Sequence, residues 1–146
     1  PDIKAVIHAH PPILTGFACS GSNMLERPFL PEVVFELGPV LPVEYKEPIT
    51  EDLAKAFEKV IHKGNAFMMK NHGITICSPY SVLRALDMME MLEAQAKSLI
   101  TASILGGLEE IPRDGVKDLE NTLRNRNLKL PGDPRYIKSL TQLYYD

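Results

Sequence analysis

The feature that most restricts this chain is a pair of short apolar runs, 66–70 (AFMMK) and 74–78 (ITICS), with only Asn71-His72-Gly73 between them. Each has the composition and length of a strand. A parallel connection needs roughly a dozen residues or more, usually including a helix, whereas antiparallel neighbours need only a tight turn. The two runs therefore pair antiparallel, and a doubly wound, all-parallel sheet is excluded. Elsewhere along the chain strands and helices alternate. This predicts an α/β fold with a mixed sheet and helices on both of its faces.

Residues 3–9 (IKAVIHA) are apolar with little alternation and predict a strand buried on both faces. A short helix is expected at 13–20, a turn at 21–23 (GSN), and a second short helix at 31–37, opened by Pro31 and closed by Gly38. The two prolines of 39–45 (PVLPVEY) suit an edge or irregular strand. Thr50 is a good N-cap, and Leu53, Ala56, Phe57, Val60 and Ile61 recur at helical spacing up to the stop at Gly64-Asn65. Ser78-Pro79 reads as the cap and first residue of a long helix. Its expected buried stripe is Leu83, Leu86, Met89, Leu92, Ala96 and Leu99, and it ends at Gly106-Gly107. Two further helices are expected at 114–126 and 134–145, divided by Leu130-Pro131-Gly132.

With 146 residues, 45% of them hydrophobic, the chain can bury the core of one domain. A net charge of −3 argues against a nucleic-acid or anionic-membrane surface. No run approaches the roughly 18 to 20 apolar residues that span a bilayer. Cys19 and Cys77 are too few for a disulfide scaffold and lack zinc-finger spacing, so a reducing cytoplasm is the expected location. The chain enters a strand almost at Pro1, without an initiator Met. A strand needs pairing partners. The expectation is that earlier residues precede Pro1 and that 1–146 is the C-terminal two-thirds or so of a single domain.

Three of the four histidines carry the chemical signal. His8 and His10 are one residue apart at a strand end, and side chains at i and i+2 of a strand point to the same face. Two imidazoles so placed can reach one metal ion, while Ala9 points the other way. Pro11-Pro12 ends the strand and holds its terminus extended. His72, in the turn between the two later strands, can supply a third ligand, with Gly73 allowing a sharp turn. Three neutral imidazoles leave a divalent cation with open positions, the pattern of a catalytic rather than a closed structural site. His62 reads as a surface residue near a helix C-terminus, and Cys77 as a small core residue. Glu90 and Glu93 read as a solvated edge or a buried ion pair, and neither is given a catalytic role.

The segments IHAHPP (7–12), LPEVVFELGPVLPVEY (30–45) and KNHGITICS (70–78), followed by the helix carrying Glu90 and Glu93, resemble the class II aldolase/adducin family. The resemblance covers roughly residues 3–105, and its closest likeness is to L-fuculose-phosphate aldolase-like members. It implies a three-layer α/β/α domain with a mixed, mainly antiparallel central sheet, a divalent metal, most simply Zn²⁺, on His8, His10 and His72, and a homotetramer with sites near subunit contacts. It also implies a small sugar-phosphate substrate. The reaction expected first is cleavage of a ketose phosphate to dihydroxyacetone phosphate and an aldehyde, through an enediolate whose charge the metal stabilises. Epimerase, dehydratase and decarboxylase relatives use the same histidines, and adducin-like members are non-catalytic binding domains that lack them. The acid/base carboxylate of the family lies upstream of the HxH strand, so the resemblance implies that it precedes Pro1 and that no catalytic carboxylate is expected within 1–146. The segment 27–33 (RPFLPEV) lacks the tyrosine that aldolases often carry there. None of Tyr136, Tyr144 and Tyr145 aligns securely with the catalytic tyrosine near the family's C-terminus.

Overall fold

The structure is a computed structural model and describes residues 3–145. Four strands, β1 (Ala5–Ala9), β2 (Val40–Val43), β3 (Ala66–Met69) and β4 (Gly73–Ser78), form one sheet in the order β1-β4-β3-β2. β1 and β3 each run antiparallel to β4, and β2 runs parallel to β3. The sheet is thus mixed and mainly antiparallel, as the three-residue gap at Asn71-His72-Gly73 requires.

Alternation along the strands sorts the side chains into two layers. Ala5, Ile7, Ala66, Ile74 and Ile76 face α1 (Pro12–Ser20), α2 (Pro31–Glu36) and the long α4 (Val82–Leu105), in a core with Leu14, Phe17, Val33, Met88, Met89 and Leu92. Phe67, Met69, Val43 and Cys77 face α3 (Glu51–Glu58) through Ala56, Leu53 and Phe57. Helices therefore cover both faces, and Cys77 is the small core residue expected. A third apolar cluster joins α2 to α5 (Arg113–Asn125) and α6 (Leu140–Tyr145) through Val34, Val116, Leu123 and Leu140. No helix among the described residues is long and apolar enough to cross a membrane.

Several local expectations change. β1 is not buried on both faces: it is an edge strand of the described sheet, and Val6 and His8 are exposed on the side away from α1 and α4. Ser78 does not cap α4. It stays in β4, fully buried and paired with Ala5, and its hydroxyl accepts from the Tyr80 N–H. The cap is Ser81, whose Oγ accepts from the Arg84 N–H at 3.1 Å. Leu83 and Leu86 are exposed; the inward stripe of α4 runs through Ala85, Met88, Met89, Leu92, Ala96 and Leu99. α3 stops at Glu58 rather than near residue 63, and α6 starts only at Leu140. The Thr50 cap is as expected, its side chain accepting from the Leu53 N–H. Gly38 closes α2 at φ 71°, a conformation that costs glycine little.

Glu93 is not a solvated edge, and among the described residues it is not half of an ion pair. Its two carboxylate oxygens accept from the backbone N–H groups of Ile13 and Leu14, at 2.8 Å each. α1 begins on Pro11-Pro12 and has no side-chain cap of its own. Its free N–H groups are therefore satisfied from α4. Because Ser81 is a purely local cap, Ser81→Ala is expected to lower unfolding free energy by about 1 kcal/mol, read by chemical denaturation.

Candidate metal centre

Strand pairing brings the three histidines together. β1 leaves the sheet with His8 opposite Thr75 and Ala9 opposite Ile74, so His10 emerges beside the start of β4. His72 sits one residue before that start, its N–H bonded to the Met69 carbonyl at 3.1 Å. The ring centroids of His8 and His10 lie 4.7 Å apart, those of His8 and His72 4.9 Å, and those of His10 and His72 5.1 Å. One ligand-capable atom from each ring lies within 4.8 Å of the others. Among the described residues the group contains these three alone, without a carboxylate or thiol. Strand alternation put His8 and His10 on one face; the register of β1 against β4 puts both beside His72.

The rings are positioned by their surroundings. His8 Nδ1 lies 3.0 Å from the Ile74 carbonyl oxygen. A carbonyl can only accept, so Nδ1 carries the proton and Nε2 keeps its lone pair. This is the arrangement that orients a ligating histidine. Gly73 plays a part different from the one expected. The left-handed residue of the turn is Asn71, at φ 56°. Gly73 is needed for space: a Cβ there would lie 2.6 Å from the Ala9 carbonyl oxygen and closer still to the His10 ring. The absence of a side chain lets His10 lie over the backbone of β4.

Electrostatics favour the neutral form of His72. Partial burial, and then the neighbouring His8 and His10 rings, hold His72 below the ordinary imidazole range. A neutral imidazole is the form that ligates a metal. With a folded-state value below the unfolded one, the unfolded chain takes up the proton first. The contribution of His72 to stability is therefore present above the ordinary value near 6.5 and lost as pH falls through and below it. In cation-free protein, NMR titration of His72 is expected to show a midpoint below that value, moving upward in His8→Ala. A midpoint at or above it would contradict this account.

Other expected features lie elsewhere. His62 is in the turn after α3, partly buried, with its ring centroid 4.8 Å from that of Tyr136. Tyr144 and Tyr145 pack in the cluster of α2, α5 and α6 rather than at the histidines. A cleft of about 410 Å³ lined by Phe17, Ser22, Glu26, Val43, Glu44 and Lys70 contains none of the three histidines. The residues that the sequence reading missed are Gly73 as a steric requirement and Glu93 as a distant cap. The one signal for Glu93 was a helix starting on two prolines without a local capping side chain.

The model of the class II aldolase and adducin N-terminal domain matches residues 1–100. The chain belongs to the class II aldolase and adducin family. Within this family it is 32% identical over 126 residues to the 3-oxo-tetronate 4-phosphate decarboxylase of Haemophilus influenzae, covering 83% of this chain and 58% of that protein. To the enzyme of the same description from Escherichia coli K12 it is 36% identical over 101 residues, 66% of this chain and 47% of that protein. The chain thus spans about half the length of the curated relatives it matches. Among solved structures, YgbL of Klebsiella pneumoniae superposes with a TM-score of 0.73 at 31% identity, over 82% of this chain and 58% of that one. An L-fuculose 1-phosphate aldolase superposes at 0.67 with 24% identity, over 85% of this chain and 57% of that one, and supports the fold alone.

Proposed function

We propose that His8, His10 and His72 form the divalent-cation centre of a lyase that breaks a carbon–carbon bond in a small phosphorylated sugar or sugar acid. The observation that carries this reading is the convergence of three imidazole donors within 4.8 Å on a strand end and a turn. The group fits such an ion. It is all-nitrogen, one ring is oriented by a backbone carbonyl, and a glycine leaves room for another. Three neutral ligands suit zinc best, with cobalt and other imidazole-binding metals as alternatives. When bound, the cation supplies positive charge beside a substrate carbonyl.

The residues have distinct parts in this scheme. His8 offers Nε2 because Ile74 holds Nδ1. His10 is seated over Gly73. His72, kept neutral by its surroundings, completes the set from the other strand pair. The group that moves the proton is proposed to lie outside the three histidines, since no carboxylate stands among them in the described residues.

Decarboxylation of a 3-oxo sugar-acid phosphate is the first reading, supported by identities of 32% and 36% to decarboxylases. The aldol cleavage of a ketose phosphate that the family resemblance first implied is the second. The two reactions share one requirement: the electrons of the broken bond are left on a carbon next to a carbonyl. The experiment offers the intact Zn²⁺- or Co²⁺-loaded protein both kinds of substrate. Release of CO₂ from a 3-oxo-tetronate 4-phosphate supports the first reading, and release of dihydroxyacetone phosphate from a ketose 1-phosphate the second. Turnover of neither overturns the lyase reading in favour of a binding domain. A homo-oligomer of four is part of the same proposal. Val82, Leu83, Ile104 and Leu105 of α4 are exposed apolar residues that such contacts would cover, and light scattering tests it.

A further inference from the structure

We infer that Glu93 is a positioning residue for the three-histidine centre, acting through α1. The inference rests on the reading of His8, His10 and His72 as a cation site. Both carboxylate oxygens of Glu93 are engaged, one by the Ile13 N–H and one by the Leu14 N–H, at 2.8 Å. These groups belong to the first turn of α1, which starts two residues after His10. Pro11, at φ −61° and ψ 140°, and Pro12 join His10 to that turn through a short link with restricted φ. A shift of the first turn of α1 is therefore passed to the backbone of His10, with little slack to absorb it.

The other end of α1 touches the other half of the site. The Ala18 carbonyl accepts from the Asn71 N–H at 2.9 Å, and Asn71 immediately precedes His72. α1 thus spans the site: its start follows one ligand pair and its last turn holds the turn that presents the third ligand. Within α1, Leu14 and Phe17 are buried in the core, which makes the helix a rigid spacer. Glu93 anchors this spacer to α4. Bonds from backbone N–H groups to a charged carboxylate are stronger than those to a neutral acceptor, and the helix N-terminus favours a negative charge. An uncharged side chain at 93 holds α1 less firmly even where the fold persists.

The test measures Co²⁺ binding by absorption, alongside thermal unfolding, for the intact wild-type protein, Glu93→Gln and the exposed control Glu90→Gln. Glu93→Gln is expected to fold cooperatively, to bind Co²⁺ at least tenfold more weakly and to show shifted ligand-field bands. Glu90→Gln is expected to match the wild type. A folded Glu93→Gln with wild-type affinity and bands overturns the inference. If Glu93→Gln does not fold, Glu93→Asp takes its place, keeping both oxygens on a stem one methylene shorter. Shifted bands in the folded Glu93→Asp support the inference, and wild-type bands overturn it. Loss of the fold in both variants also overturns it, because Glu93 would then serve the fold rather than the site. Failure of the wild type to bind Co²⁺ instead removes the cation-site reading itself.

Discussion

Replacing His72 by Ala is expected to reduce bound metal from about one ion per chain to almost none, and turnover by at least about 10³-fold. Loss of the cation removes several kcal/mol of charge stabilisation, and each 1.4 kcal/mol is roughly tenfold in rate. Elemental analysis after dialysis against buffered Zn²⁺, with the assays described above, reads both quantities. His62→Ala is the control. It is the remaining histidine, and its ring packs against Tyr136. Wild-type metal content in His72→Ala would separate the turn from the strand-end pair and dismantle the proposed centre.

The second large effect is expected from Gly73→Ala, the smallest change available at the site. The added methyl group meets the Ala9 carbonyl oxygen at 2.6 Å and the His10 ring, with no flexible route of escape on the backbone side. Either β1 moves away from β4, or His10 turns out of the group. Overpacking of this kind costs roughly 1–3 kcal/mol. Metal affinity is expected to fall at least tenfold, as the ligand is displaced. Calorimetric titration with Zn²⁺ and a thermal melt measure the two consequences. Gly16→Ala, inside α1 with open space around the new methyl, is expected to leave binding unchanged. Binding by Gly73→Ala at wild-type strength would show that His10 does not need its place above β4.

What could be read from residues alone follows from which interactions are local. The antiparallel β3–β4 pair was legible because a three-residue gap admits no other connection. The shared face of His8 and His10 was legible because strand side chains alternate. The Thr50 cap lies within three residues of the N–H that it accepts from. Where expectation failed, a distant partner decided. Ser78 has the look of a helix cap, but pairing with Ala5 keeps it in the strand. Leu83 and Leu86 continue an apolar rhythm, yet the sheet meets the face of α4 that carries Ala85, Met88 and Met89. The apolar run of β1 suggested burial on both sides, but among the described residues no helix packs over the face that carries Val6 and His8. Glu93 was beyond any periodicity rule, since its partners are 79 and 80 positions away.

The register of β1 against β4 has a kinetic side. His8 lies opposite Thr75, so the site exists only after a loop of some 67 residues has closed. Closing such a loop costs about 4 kcal/mol in chain entropy beyond a constant term. No shorter-range event brings the three rings together, and the unfolded chain holds no preformed nest of imidazoles. A cation bound there acts as a reversible cross-link across the most remote pairing in the sheet. It would slow unfolding more than it speeds folding, and the midpoint of thermal unfolding would climb with free cation concentration.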